Sequence, residues 1–444
     1  MNSGARAPAS TESGIMASTT TNHPALLPSR LRWWVLALLS IAIAGNYYAY
    51  DAIAPVADLL RMQRGFSQSQ IGLLNAVFSL PNIVLALAGG LLIDRFGAAQ
   101  VVLGTAALCF LGALLTAWGS PFPVMVTGRL LFGVGEETLL IALLAALAQW
   151  FSAGGMALAM SLFFSLARVG SYAADTSPGW AGPLYAAGWQ PPLWLAAGLT
   201  GLSLVAALVF WRFDARRQET AASRPSAQTG PAAWFDLTGF DRSFWYILTL
   251  NVLFASVFFP FRSTFAIEYF QDAKGLSLAE AGLVNSWVFF AAIFATPLFG
   301  GIADRIGHRS LMMTLGAALM PLTFLILGAT DWSLWISTAL MGLSFSVVLA
   351  VIWPSTAMLV EPRRLGTALG IVNVLQNLGL AICNLAAGWL NDANLAGPQN
   401  PSGYGAMLWL FGVLSLAAFL SVALLWRRET GQNGHGLDSI RATI

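Results

Sequence analysis

Long apolar runs separated by short polar breaks dominate the chain. Runs of spanning length fall at about 33–52, 70–93, 99–118, 122–150, 156–184, 190–211, 243–262, 278–303, 309–329, 333–360, 365–390 and 404–426. At a rise of about 1.5 Å per residue, each can cross a hydrocarbon core of about 30 Å. The pattern predicts an all-α membrane protein with twelve transmembrane helices. The one long internal break, Arg212 to Asp241, is rich in Arg, Ser, Gln, Thr, Gly and Pro and divides the helices six and six. The expected organisation is therefore a disordered cytoplasmic tail (1–29), a six-helix bundle (30–211), a cytoplasmic linker (212–242), a second bundle (243–428) and a tail (429–444). Residues 1–29 lack any apolar run, which argues against a cleaved signal peptide, and Arg30 and Arg32 precede the first span as in an uncleaved anchor.

Composition agrees with the pattern. The chain is 57% hydrophobic and 9% charged, too apolar for a soluble fold of 444 residues. Cys109 and Cys383 both fall within spans, so a disulfide framework is not expected. The three histidines, His23, His308 and His435, lie in tails and a loop, and no metal or nucleotide motif occurs. Catalysis, a resident cofactor and nucleic-acid binding are therefore not expected. Placing both termini and the linker on the cytoplasmic side puts sixteen of the 22 basic residues there and four, Arg61, Arg64, Arg262 and Lys274, on the other side. That split satisfies the positive-inside rule.

The halves repeat each other. Gly90, Asp94, Arg95 and Gly97 after the second span recur as Gly300, Asp304, Arg305 and Gly307 after the eighth, an offset of 210. Gly65 and Gly275, Gly72 and Gly282, and Asn75 and Asn285 keep the same offset, and Ser67/Gln70 and Ser277/Glu280 form matching capping boxes. Parallel repeats of this kind place a substrate cavity between the halves near the bilayer midplane. The Gly-x-x-x-Asp-Arg-x-Gly loop, its echo, and Arg129-x-x-x-Gly133-x-Gly135 together resemble the signatures of the major facilitator superfamily. The basic pair that usually ends the first loop motif is Ala98-Ala99 here, whereas the second copy keeps His308-Arg309.

Charges inside apolar spans need a reason, since an ionised side chain at mid-bilayer costs at least roughly 2.5 to 3.5 kcal/mol. The fourth span carries Arg129, Glu136 and Glu137, with Gly133 and Gly135 offering close-packing positions. Arg168 in the fifth span lies at a similar height to Glu137. One guanidinium and one carboxylate suit a zwitterion, or else neutralise each other as a structural pair. Glu136 diverges from Glu137 by about 100° around the helix and either pairs with Arg129, takes a proton for coupling, or bonds within the bundle. Tyr47 and Asp51 share a face of the first span. Asp51 and Arg262, at equivalent outer ends, either bridge to close the cavity or stand solvated. In the second half Trp353-Pro354 interrupts span ten, and Gln376 and Asn377 in span eleven lie near the repeat counterpart of Arg168. Each of these reads as a ligand contact or as packing.

Asn46 to Asp51, Leu80-Pro81-Asn82, Phe132 to Glu137, Ala167 to Gly170, Phe259-Pro260-Phe261, Trp353-Pro354 and Gln376 to Ile382 resemble the branch of that superfamily containing the animal lysosomal dipeptide uniporter. The resemblance implies that Glu137 and Arg168 clasp the two termini of a dipeptide, with Trp353 nearby. The glycine usual before that glutamate is Glu136 in this chain. No Asn-x-Ser/Thr acceptor occurs without an intervening proline, and Leu26-Leu27 lacks the acidic residue of a lysosomal sorting signal. The expectation is a monomeric bacterial inner-membrane carrier of a small zwitterion, with protons as the candidate coupling ion. An organic-anion carrier and a drug exporter are the rival readings.

Overall fold

A computed structural model describes residues 29–85, 88–119, 121–151, 153–220, 239–330, 332–361, 364–432 and 434–438. The expected N-terminal tail and most of the linker lie outside the described residues. The described chain is almost wholly helical. The first half comprises α1 (Ser29–Asp51), α2 (Ala57–Arg64), α3 (Gln68–Leu85), α4 (Ala88–Phe96), α5 (Ala98–Trp118), α6 (Phe122–Trp150), α7 (Ala153–Trp180), α8 (Gly182–Ala186) and α9 (Gln190–Thr220). The second comprises α10 (Arg242–Pro260), α11 (Ala266–Lys274), α12 (Leu278–Ile306), α13 (Arg309–Ala329), α14 (Leu334–Leu359), α15 (Leu365–Ala393) and α16 (Gly405–Glu429).

Ten of these helical stretches are long and apolar enough to cross a membrane. The other two expected spans are helical as well. The second falls on α3 and α4, either side of residues 86–87, and the fifth on α7, where Arg168, Asp175 and several hydroxyls lower the hydropathy. Two boundaries differ from the sequence reading. The first span does not end near residue 52 but bends through a short 3-10 turn at Ala54–Val56 and runs on to Arg64. The seventh bends at Pro260 through a π turn, Phe261–Phe265, and runs on to Lys274. Pro55 and Pro260 end the regular hydrogen-bond ladder, and the freed backbone is tolerated because both bends are buried in protein.

The repeat is visible in backbone geometry. Gly65 closes α2 in the left-handed region at φ 68°, and Gly275 closes α11 at φ 70°. A side chain would be strained at either position. Each half buries its own apolar core. The halves meet along two seams, α3 with α15 and α7 with α12. Gly72 and Gly282 set their approach: a Cβ at Gly72 would collide with the carbonyl of Asn384, and one at Gly282 with that of Asp175.

Polar bonds between the halves concentrate at the end of the bundle remote from the termini. Arg61 pairs there with Glu268 and lies 3.6 Å from Asp272. Asp392 of α15 caps α3 in trans, accepting from the backbone N–H of Gln68 and Ser69 at 2.8 Å each. Asn75 donates to Thr264 Oγ1 at 2.8 Å and to the carbonyl of Ser263 at 3.2 Å. Exposed tryptophans such as Trp118, Trp180, Trp332, Trp389 and Trp409 ring this end, as expected of a membrane interface.

Candidate functional site

At the α7–α12 seam the half-buried guanidinium of Arg168 lies over three aromatic rings. Its carbon is 5.0 Å from the centroid of Tyr47, 4.7 Å from Phe289 and 5.3 Å from Phe345. Two of the rings belong to the second half, so Arg168 bridges the halves. It forms no hydrogen bond or ion pair among the described residues. Aromatic faces attract a guanidinium by about 0.5–2 kcal/mol each without using its N–H donors. The donors of Arg168 remain available for an anion.

Glu137 is half-buried and Glu136 is 5% exposed. Glu137 and Arg168 do not form the structural ion pair that stands as the alternative to a substrate clasp, since equal depth on two helices does not give equal azimuth. Glu136 is the acid within the field of both Arg168 and Arg129, and Tyr47 lies in the fields of Arg168, Glu136, Glu137 and Asp51. Gly133 and Gly135 fix the height of the two acids. Gly133 abuts the carbonyl of Phe78 in α3, and Gly135 abuts Cys109 and the carbonyl of Thr105 in α5.

Arg129 does not pair with Glu136. Its donors reach the carbonyls of Leu74 (3.2 Å), Ala49 (3.3 Å) and Tyr50 (3.3 Å) and Asn75 Oδ1 (2.6 Å). The carbonyls of Ala49 and Tyr50 belong to the last turn of α1, so Arg129 satisfies acceptors left open where the helix bends. These bonds hold it at the bend that presents Tyr47 and Asp51.

Arg262 is fully buried and pairs with two carboxylates of the other half, Asp51 on α1 and Asp175 on α7. The alternative of two solvated charges is thereby overturned: Asp51 is 1% exposed and Asp175 0%. The carbonyl of Arg262 accepts from Asn285 at 3.1 Å, and its guanidinium lies 3.9 Å from the centroid of Phe289. This cluster and the Arg61–Glu268 pair join the two halves at the end of the bundle remote from the termini. Asp175, Arg61, Glu268 and Asp392 were not singled out by sequence. Asp175 lies seven residues after Arg168, two helical turns along the same face, which is a legible signal.

In the second half Asn377 is buried and committed to protein, accepting from Asn82 at 3.3 Å across the α3–α15 seam and donating to the carbonyl of Asn373 at 3.1 Å. It ties the seam rather than facing open space. Gln376 is half-buried, and Trp353 is 37% exposed. Of the loop motifs, Asp304 pairs with Arg309 at 2.9 Å, while Asp94 and Arg95 are exposed. Arg305 is exposed as well; Gly97 and Gly307 directly follow the ends of α4 and α12, while Gly90 and Gly300 lie within those helices, six residues before their ends.

The sequence relatives are transporters by name. The chain is 30% identical to the lysosomal dipeptide transporter MFSD1 of Homo sapiens over 428 residues, covering 93% of this chain and 90% of that protein. It is 24% identical over 424 residues to the protein of Cupriavidus necator named probable sulfoacetate transporter SauU, covering 89% and 92%. The fold superposes on the crystal structure of the nucleoside transporter NupG with a TM-score of 0.71 at 12% identity, covering 89% of this chain and 99% of that one. The Major Facilitator Superfamily profile matches residues 39–267 and 248–441, most of the chain. With its two matched six-helix halves meeting at a pair of helix seams, this chain belongs to the Major Facilitator Superfamily.

Proposed function

We propose that the protein carries a small zwitterionic solute, a dipeptide or an amino-acid-like compound, across the membrane by alternating access. The observation that carries this reading is Arg168: a guanidinium at the seam between the halves, held by three rings and with its donors unspent. A substrate carboxylate takes that fork, and Glu137 or Glu136 takes the ammonium. Tyr47, Gln376 and Trp353 line the approach, and Asn377 holds the seam beside them. The similarity to proteins named as dipeptide transporters supports the same class. With the terminal end cytoplasmic, the placement that the basic residues favour, the Arg262 cluster is the outer gate and the conformation is inward-facing.

Carboxylate transport is the second reading. It is favoured by the absence of any ion pair between Arg168 and either glutamate, which leaves the guanidinium as the dominant ligand group, and by the relative named for sulfoacetate. Thermal shift of the purified protein with dipeptides, free amino acids and simple carboxylates separates the two. Dipeptide stabilisation that Glu137→Gln and Glu136→Gln both lack supports the zwitterion. Equal stabilisation by simple carboxylates in wild type and both variants supports the anion.

A further inference from the structure

The ring of Phe289 lies under two guanidinium groups with different work. Arg262, locked in the gate, is 3.9 Å from its centroid, and Arg168, at the seam, is 4.7 Å from it. Phe289 is 1% exposed and packs on Phe258 at 6.0 Å and Phe345 at 5.7 Å, so the ring cannot shift without disturbing its neighbours. One turn earlier on α12, Asn285 donates to the carbonyl of Arg262 at 3.1 Å. Ring and amide thus brace the gate arginine from the same helix.

Arg168 belongs to the first half and Phe289 to the second, so their contact helps to hold the α7–α12 seam together. The same seam carries Asp175 and Arg262. An anion that engages the fork of Arg168 draws its charge away from the ring, because a charge-assisted bidentate bond is stronger than a contact with one aromatic face. The seam then loses one of its cross-half contacts next to the gate.

We infer that Phe289 is a positioning residue that couples the seam site to the gate: occupancy of Arg168 loosens the ring's hold on the closed seam and shifts the gate towards opening. The inference rests on the reading of Arg168 as the substrate-binding group. Coupling of this kind requires a two-state element that both sites bias, and the gated seam is that element.

The test is a double-mutant cycle read at the gate. Met62 and Leu395 are 67% and 79% exposed near the gated end of opposite halves, and both native cysteines are buried, so Met62→Cys and Leu395→Cys accept spin labels for distance measurement. Arg168→Gln is expected to raise the separated-label population about threefold when Phe289 is present. In the Phe289→Leu background it is expected to change nothing, and Phe289→Tyr, which keeps the ring face, is expected to restore the response. Should Phe289→Leu fail to fold, Phe289→Met takes its place. Equal effects of Arg168→Gln with and without the ring overturn the inference. Alanyl-alanine added to the labelled wild type is expected to reproduce the Arg168→Gln shift. If it neither binds nor shifts the labels while the cycle remains non-additive, the dipeptide reading falls and the coupling stands.

Discussion

Arg262 and Arg168 share one aromatic ring, yet they are opposites. Arg262 is fully buried with a carboxylate on either side, both from the other half. Arg168 is half-buried and has rings in place of carboxylates. A guanidinium deep in a protein must satisfy its donors or lose its desolvation energy outright. Arg262 has spent both terminal nitrogens on carboxylates of the protein, which suits it to the proposed gate. Arg168 has only its delocalised charge satisfied, which suits it to the binding role proposed for it. The contrast supports the proposed division between a structural and a binding charge without reference to any relative.

The comparison breaks most visibly if Arg262 is removed. Arg262→Ala leaves Asp51 and Asp175 buried without a counter-ion, and losing one partner of a buried pair costs about 3–5 kcal/mol. Thermal unfolding in detergent should drop by the largest margin of any single change considered, and labels at positions 62 and 395 should separate. Asp175→Asn keeps an acceptor on the guanidinium and removes one of two like charges, so its cost should be about half that or less. If both substitutions leave unfolding and label separation unchanged, Arg262 is not a gate.

Arg168→Ala should give the reverse pattern. It removes contacts with three rings worth about 0.5–2 kcal/mol each and breaks no ion pair, so the protein should remain folded. Uptake of the transported solute into liposomes should be lost. Intact transport with lowered stability would mean that Arg168 is only a seam contact, and the distinction drawn between the two arginines would collapse.

This contrast shows what the chain declared in advance. The repeat was legible because Gly65/Gly275 and Gly72/Gly282 are local requirements, a left-handed cap and a close approach, that only glycine meets. Arg168, Asp51 and Arg262 were legible as charges inside apolar runs. Partnership was not. Helical rise gave Glu137 and Arg168 a common depth, but the azimuth that keeps them apart depends on how Gly133 and Gly135 seat α6 against α3 and α5. The position of Asp175 is legible two turns after Arg168, but its partner is not, because Arg262 is 87 residues away, across the linker and on the other half. The continuation of the first and seventh spans past their bends was hidden by polar faces, since Arg61, Glu268 and Asp272 satisfy one another only once the halves meet.

The smallest effect lies at the terminal end, where charge pairs are only partly buried and the comparison with Arg262 is sharpest. Asp241 caps α10, accepting from the backbone N–H of Ser243 at 3.2 Å, and it holds Arg428 with both oxygens at 2.7 and 3.0 Å. His435 Nε2 lies 3.2 Å from Asp241, and His435 Nδ1 lies 3.0 Å from Glu429, so the residues after α16 are fastened back onto α10. Partial burial alone would raise the Asp241 carboxyl, but the backbone N–H groups of Ser243 and Arg242, with Arg428 and His435, hold it below its ordinary value. A carboxyl depressed on folding contributes stability that is complete above its unfolded pKa of about 3.9 and is lost as pH falls through the folded value. The carboxyl's own contribution to the fastening should therefore be constant near neutrality and be lost only in strong acid. Asp241→Asn should reproduce that loss at neutral pH, by no more than about 0.2–1 kcal/mol for an exposed pair, and added salt should shrink the difference further. Unfolding midpoints of wild type and Asp241→Asn measured from neutral to acid pH, at low and high salt, check this. A difference as large as that of Arg262→Ala, or one that salt leaves untouched, would show that burial does not govern the strength of charge pairs in this protein.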